Sequence, residues 1–209
     1  QKAKYQALFG IMHRETGLRR FKEVFDVRGR KNGKSTENSI LGLYLTLEEC
    51  GAEIYVAATT RAQARRVWEE SQSMIDQQPL LSKRLKYKVF PEMVIYSVKK
   101  SVYKVLSKNV KTFDGLNVSG AVIDEVHELA RAIYDILKQA TSTRKQPLIS
   151  MITTAGFVRG GLFDDTYDYC AKVIDGLIED ETLFPLIYEL DSKLEYDLPE
   201  TYIKANPAI

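Results

Sequence analysis

The chain has 209 residues, of which 44% are hydrophobic and 28% charged, and its net charge is +2. These values are typical of one globular domain with a sizeable core. No apolar run approaches the roughly eighteen residues of a membrane-spanning helix, and the first residues do not have the pattern of a signal peptide. The sequence therefore predicts neither a membrane span nor a signal peptide. Two cysteines, Cys50 and Cys170, are too few for a disulfide-rich fold and indicate a reducing compartment.

The first predicted elements are a strand, a loop and a helix. Residues Lys22–Val27 alternate in the manner of a strand, and an apolar helical run follows from Ile40 to Leu47. Between them, residues 28–36 read Arg-Gly-Arg-Lys-Asn-Gly-Lys-Ser-Thr. Strand, loop and helix in this order form the setting of a phosphate-binding loop.

The end of this loop, Gly33-Lys34-Ser35, has the residue types that suit phosphate binding. The glycine lets backbone N–H groups turn toward an anion, the Lys34 ammonium can reach the β- and γ-phosphates, and the Ser35 hydroxyl can bind Mg²⁺. Arg28 stands where the usual motif has its first glycine. Spacing alone therefore leaves the motif incomplete, and the flanking strand and helix favour the phosphate-binding interpretation.

The next part of the chain predicts a second strand–helix unit and then a basic ribbon. Glu53–Ala58 predicts a strand, Arg61–Asp76 a helix with one apolar face, and residues 86–106 short antiparallel strands inserted as a hairpin or edge ribbon. From Lys83 to Lys111 there are nine basic residues and one acidic residue. Such a ribbon could contact DNA phosphates or could carry solvated lysines that protect a sheet edge, and the sequence leaves both open.

Two adjacent carboxylates, Asp124 and Glu125, end a short apolar strand that begins at Gly120. Asp124 suits a Mg²⁺-linked water, and Glu125 suits the base that orients an attacking water. Taken alone, the pair could merely cap a helix that starts near Glu128. The upstream Gly-Lys-Ser favours the catalytic interpretation, while His127 is better explained as a residue at the helix start than as a sensor of the site.

A strand over Pro147–Thr153 runs directly into Thr154. Ligands of open α/β sheets bind at the carboxyl ends of strands, so Thr153 and Thr154 could contact the γ-phosphate. The remaining predicted elements are helices over 129–140 and 163–174 and a strand over 183–189 that leads into an acidic tail.

The combined motifs resemble those of the ATPase domain of tailed-phage terminase large subunits. The matching segments are Arg30-Lys-Asn-Gly-Lys-Ser35, Asp114-Gly-Leu-Asn117, Ile123-Asp-Glu-Val-His127, Thr153-Thr-Ala-Gly156 and Ala205-Asn-Pro207. The resemblance covers essentially the whole chain. It implies a three-layer α/β/α P-loop NTPase with a mainly parallel central sheet, of the branch with an additional strand and a catalytic glutamate, and with an antiparallel hairpin insertion.

The resemblance also implies roles for the site residues. Catalysis is expected from Glu125, Lys34 and Arg30, and Mg²⁺ binding from Ser35 and Asp124. Gln1 falls where the family has an adenine-contacting glutamine, although Gln6 competes for that role. The residues expected to contact ATP are Gln1, Arg28, Gly29, Arg30, Lys31, Asn32, Gly33, Lys34, Ser35, Thr36, Thr153 and Thr154.

By the same resemblance, ATP hydrolysis would drive double-stranded DNA into the procapsid, in the cytoplasm of the infected bacterial host. The expected partners are double-stranded DNA, the portal protein, the terminase small subunit and other copies of the chain in a homo-oligomeric ring, with a monomer in isolation. An arginine from a neighbouring subunit would complete each site, and Arg61, Arg65 and Arg66 are the candidates. Residues 1–209 would be an excised ATPase domain that lacks the C-terminal nuclease domain.

Two other classes fit a phosphate-binding loop. One is a different P-loop enzyme, either a helicase-like ATPase or a kinase, and the other is a nucleotide-binding module that no longer hydrolyses. The sequence contains neither the arginine-rich lid of a kinase nor the second motor domain of a helicase. The presence of Lys34, Ser35, Asp124 and Glu125 disfavours a module without hydrolysis.

Overall fold

A sheet of eight strands forms the middle layer of the protein in the computed structural model, which describes residues 2–106, 115–155 and 160–207. In spatial order the strands run β3-β4-β5-β2-β6-β7-β1-β8. Neighbours from β5 to β8 are parallel, whereas β3 and β4 extend one edge in antiparallel fashion. The strand bounds are β1 (Glu23–Val27), β2 (Glu53–Ala57), β3 (Tyr87–Phe90), β4 (Met93–Tyr96), β5 (Ser101–Val105), β6 (Gly120–Asp124), β7 (Leu148–Thr153) and β8 (Leu183–Ile187).

The described residues form seven α-helices. None is long and apolar enough to cross a membrane. The longest begins with a capping box, in which Thr60 and Gln63 satisfy each other's backbone N–H groups. The helix bounds are α1 (Lys2–Gly10), α2 (Lys34–Leu45), α3 (Arg61–Gln77), α4 (Pro79–Arg84), α5 (Arg131–Gln139), α6 (Leu162–Ile174) and α7 (Tyr202–Ala205).

Two apolar cores lie on opposite faces of the sheet. Successive strand residues point to opposite faces, so Ile54 and Val56 pack toward α1, α2 and α3, while Tyr55 between them packs toward α5 and α6. The predicted three-layer α/β/α fold is therefore confirmed. Strand β7 lies between β1 and β6, which is the additional strand of the predicted branch.

The predicted strands and the helices α2, α3 and α6 agree closely with the observed elements. The expected edge ribbon is confirmed as β3 and β4, which join the main sheet through β5. Helix α5 begins at Arg131, later than expected, because residues Val126–Glu128 form a separate 3-10 turn. Sequence periodicity gave no indication of α1, whose apolar residues do not gather on one face.

The basic ribbon lies at the β3 edge of the sheet. Lys86 and Lys88 are exposed beside that edge, as expected for lysines that protect unpaired backbone groups. Two other lysines make contacts within the fold. The Lys99 ammonium donates to the carbonyls of Leu47 and Glu48, just after α2, and the Lys104 ammonium lies 4.9 Å from the ring centre of Tyr55. Lys108 and Lys111 lie outside the described residues. DNA contact by the ribbon stays a prediction.

The packing of α2 on the sheet generates a stability prediction. A Cβ atom on Gly42 would lie 2.5 Å from Cζ of the fully buried Tyr103 ring. Gly42→Ala should therefore destabilise the domain by about 1–3 kcal/mol through overpacking, although alanine favours helices. Gly10→Ala is the matched control, because a Cβ there meets nothing within 4 Å. Urea unfolding checks both variants, and a Gly42→Ala protein as stable as wild type would contradict the packing argument.

Candidate nucleotide-binding site

The ends of three parallel strands bring the predicted motifs together. Val27 lies opposite Thr153 in the pairing of β1 with β7, and Asp124 lies opposite Ile152 in the pairing of β6 with β7. The phosphate-binding loop, the two carboxylates and Thr154 therefore emerge at one edge of the sheet. They surround a cavity of about 370 Å³, which is lined by Arg30, Lys31, Gly33, Lys34, Ser35, Thr36, Asp124, Glu125 and Thr154.

The loop takes a shape that suits an anion. Lys31 and Gly33 both have left-handed backbone conformations, with φ of 63° and 69°. The buried Asn32 side chain donates to the carbonyls of Gly29 (3.1 Å) and Arg30 (3.3 Å), which closes the loop from inside. The loop leads into the 12-residue helix α2, whose N-terminus carries partial positive charge.

Lys34 lines this cavity together with two other cationic residues, Arg30 and Lys31. Its Nζ donates to the Gly29 carbonyl at 2.7 Å and to the Arg28 carbonyl at 3.2 Å, so the side chain folds back over its own loop. Burial lowers the pKa of Lys34, while the negative charges of Glu125 and Asp124 partly oppose this shift. An anion in the cavity would restore favourable solvation to the ammonium.

Arg28 is part of a buried charge cluster, which we define as Lys4, Asp26, Arg28 and Glu37. The Arg28 guanidinium donates two hydrogen bonds to Asp26 (2.7 and 2.8 Å) and two to Glu37 (2.7 and 2.9 Å). The Lys4 ammonium lies 2.5 Å from Asp26 and 3.4 Å from Glu37. All four residues are at most 5% exposed. Two cations and two anions thus compensate one another away from water.

This cluster places the Arg28 side chain away from the cavity. Its guanidinium is held by carboxylates and does not line the cavity, and contact of Arg28 with ATP stays a prediction. Gly29 and Asn32 do not line the cavity either: they shape the loop from behind. Burial alone would raise the pKa of Glu37, but the hydrogen bonds and charges of Arg28 and Lys4 lower it.

Asp124 and Glu125 differ in environment although they are adjacent. Asp124 is buried, and burial together with the neighbouring Glu125 charge raises its pKa to about 6. Glu125 has a left-handed backbone (φ 55°, ψ 50°), which costs a non-glycine residue about 1–3 kcal/mol. That turn directs its carboxylate into the cavity. Its Oε2 atom is buried and has no hydrogen-bond partner among the described residues, although His127 Nδ1 lies 3.3 Å away.

The site suits Mg²⁺ with few protein ligands. Mg²⁺ prefers oxygen donors and usually retains waters and substrate phosphates in its coordination shell. The Ser35 hydroxyl and the Asp124 carboxylate are oxygen donors on the same cavity. The described residues contain no group of three or more carboxylate, histidine or cysteine side chains that could hold a metal alone. This donor set therefore fits a cation shared with a phosphate ligand.

Thr153 lies behind the cavity rather than in it. Its fully buried hydroxyl donates to the Thr154 carbonyl (2.9 Å) and lies 2.7 Å from His127 Nδ1. Thr154 lines the cavity and Thr153 does not, and contact of either residue with the nucleotide stays a prediction.

His127 lies in the 3-10 turn Val126–Glu128, which precedes α5. It lies 3.3 Å from Glu125 Oε2 and 2.7 Å from the Thr153 hydroxyl, so it connects Glu125 to the end of β7. Its position two residues after the carboxylate pair was the only sequence signal for this connection.

The other expected site residues stay predictions. Gln1 lies outside the described residues, and Gln6 lines a separate apolar cavity of about 500 Å³ between α1 and α2. Among the candidate arginines, Arg61 pairs with Glu92 and Arg65 with Glu69, and none of the three lines the nucleotide cavity.

Comparison with known proteins decides the family. The model of the terminase large subunit ATPase domain matches residues 1–172. The chain belongs to this family. Membership of the terminase family argues against the alternative interpretations as a helicase-like ATPase or a kinase.

Solved structures share its fold. The large terminase of bacteriophage HK97 has a TM-score of 0.82 at 22% identity, over 100% of this chain and 42% of that protein. The large terminase ATPase domain of Thermus phage P74-26 has a TM-score of 0.64 at 14% identity, over 88% of this chain and 85% of that one. A large terminase from a thermophilic bacteriophage, solved in complex with ADP, has a TM-score of 0.59 at 13% identity, over 88% of this chain and 44% of that protein.

A curated relative covers only part of the chain. Protein YmfN of Escherichia coli strain K12 is 35% identical over 98 residues, which are 46% of this chain and 21% of YmfN. The chain thus spans less than half of the HK97 protein, and its aligned part covers about a fifth of YmfN.

The buried charge cluster generates a prediction about stability. Glu37→Gln leaves two buried cations facing Asp26 alone, so it should destabilise the domain by about 3–5 kcal/mol near pH 7. Because the pKa of Glu37 is lowered on folding, wild type should lose this stabilisation as the pH falls below its ordinary value of 4.5. Urea unfolding at pH 7 and pH 4 measures both effects. Glu69→Gln, which breaks an exposed pair, is the control and should change little.

Asp124 should have the opposite pH dependence. Its pKa rises from 3.8 to about 6 on folding, so the ionised carboxylate destabilises the folded state as the pH rises through this range. Without metal, Asp124→Asn should therefore be more stable than wild type, by an amount that grows between pH 4 and pH 6 and then stays constant. Thermal unfolding in chelator measures it, with Asp135→Asn as the exposed control. A gain that does not vary with pH would contradict the assigned pKa.

Proposed function

We propose that this domain hydrolyses ATP with Mg²⁺ and that hydrolysis drives double-stranded DNA into a phage procapsid. One observation carries the proposal: Lys34, Asp124 and Glu125 line a single cavity at the N-terminus of α2. Family membership and the ADP and ATP-γ-S complexes of large terminases from a thermophilic bacteriophage support it.

Binding would begin with the phosphates on the loop. The partial positive charge at the N-terminus of α2 attracts them, and the Lys34 ammonium exchanges its loop carbonyls for phosphate oxygens. Arg30 is exposed on the cavity wall and adds a second cation within the same subunit. These residues would hold the triphosphate in the cavity that Glu125 also lines.

Ser35 and Asp124 would hold Mg²⁺, which neutralises charge on the phosphates when bound. Asp124 must be ionised to act as a ligand. Since burial raises its pKa to about 6, its capacity to bind metal should fall at pH values below this.

Glu125 would orient the attacking water. Its carboxylate lines the cavity and would accept a proton from the water, which attacks the γ-phosphorus as the bond from that phosphorus to the β-phosphate oxygen breaks. The products are ADP and inorganic phosphate. His127 connects this carboxylate to Thr153, whose neighbour Thr154 faces the cavity, so loss of the γ-phosphate could be transmitted to β7.

The assembly that uses this chemistry is the further part of the proposal. We propose a homo-oligomeric ring on the portal protein, with the terminase small subunit and double-stranded DNA as partners, in the host cytoplasm. An arginine of a neighbouring subunit, for which Arg61, Arg65 and Arg66 are candidates, would stabilise charge on the transferring phosphoryl group. The isolated domain should then be a slow ATPase.

The decisive test separates binding from chemistry. Lys34→Ala should weaken ATP binding itself, because it deletes a phosphate contact. Glu125→Gln should still bind ATP while its turnover falls by about two orders of magnitude or more. Fluorescent-nucleotide titration and phosphate release, each with and without double-stranded DNA, measure the two quantities. Exposed Glu128→Gln is the matched control.

Two results would contradict the assignment. Near-normal turnover by Glu125→Gln would show that another group orients the water. Nucleotide binding without any turnover by wild type, even with DNA, would favour a module that no longer hydrolyses.

A further inference from the structure

The phosphate-binding loop touches a segment far away in sequence. The Gly29 N–H donates to the Ala205 carbonyl at 3.3 Å, and the Asn32 side chain donates to Asn206 Oδ1 at 3.1 Å. A Cβ atom on Gly29 would lie 2.3 Å from Asn206 Oδ1, so the two chains are in close contact. These contacts have no part in the proposed binding and hydrolysis of ATP.

The sheet explains why this segment arrives there. Strand β8 pairs in parallel with β1, with Ile187 opposite Val27, and the Tyr188 N–H donates to the Val27 carbonyl. Because parallel strands end at the same edge, the chain leaves β8 beside the loop that follows β1. Ala205 and Asn206, further along this segment, contact that loop.

This segment is internally braced. The Lys204 ammonium contacts Asp191 (2.6 Å) and Glu195 (2.5 Å), and the Tyr202 hydroxyl donates to the Tyr196 carbonyl (2.7 Å). The Asn206 N–H also donates to the Tyr202 carbonyl at 2.9 Å, which fixes Asn206 to α7. The Lys204 ion pairs are exposed and contact no residue of the phosphate-binding loop, so they contribute little to the position of Asn206.

We propose that Ala205 and Asn206 form a latch that positions the phosphate-binding loop and couples nucleotide binding to α7. Asn206 acts through Asn32, the side chain that closes the loop from inside, and is therefore a positioning residue rather than a catalytic one. Coupling of this kind is reciprocal: if the latch favours nucleotide binding, bound nucleotide stabilises the latch to the same extent. This inference rests on the proposed nucleotide function.

The first measurement is the affinity for a fluorescent ADP analogue with Mg²⁺. Asn206→Ala should weaken binding by about three- to tenfold, the effect of losing one hydrogen bond. Lys204→Ala is the matched control, because it loosens the same segment without removing a loop contact, and its affinity should stay within about twofold of wild type. Asn32→Ala and the Asn32→Ala/Asn206→Ala double variant should bind alike, since both lack the same contact.

The second measurement is hydrogen exchange of the backbone amides of residues 202–206. ADP should slow their exchange in wild type and should have little effect on it in Asn32→Ala, a result that a purely structural role would not produce. Equal weakening by Asn206→Ala and Lys204→Ala, or wild-type affinity in Asn206→Ala, would overturn the latch alone. Failure of wild type to bind the analogue would overturn the proposed nucleotide function as well.

Discussion

The buried charge cluster of Lys4, Asp26, Arg28 and Glu37 is the constraint on which the site depends. Its members come from α1, β1, the start of the loop and the first turn of α2, so one set of ion pairs fixes four parts of the chain. Four charges in a dry environment are stable only if their geometry is nearly complete. Loop, strand and helix are therefore held in one arrangement before any ligand binds.

The cluster also explains the unusual phosphate-binding loop. Where the common motif has glycine, this chain has an arginine whose guanidinium points into the fold and whose carbonyl accepts a hydrogen bond from Lys34. The loop thus gains rigidity from a side chain where glycine would supply backbone freedom. An arginine at this position requires the carboxylates of Asp26 and Glu37 as partners. Neither residue belongs to the phosphate-binding motif itself.

Sequence alone predicted the fold well and the site in part. Strand and helix periodicity located most elements, and motif spacing identified Lys34, Asp124 and Glu125, because these features depend on residues close together in the chain. The partners of Arg28, the withdrawal of Thr153 behind the cavity and the contact of Asn206 with Asn32 depend on which strands become neighbours. Pairings between residues 174 positions apart, such as Asn32 and Asn206, have no local signature. Helix α1 was missed because it is held by Lys4 and a few large side chains rather than by an apolar stripe.

The place of β7 between β1 and β6 has a mechanical consequence. The strand that carries the loop and the strand that carries the carboxylates never touch, and their ends are separated by two strand spacings, roughly 9.6 Å in all. A phosphate and its metal must fit within that fixed width. Thr153, at the tip of β7, contacts both walls: its carbonyl accepts a hydrogen bond from the Arg28 N–H, and its hydroxyl contacts His127. The central strand therefore sets the width of the site, and a residue that does not line the cavity joins the two walls.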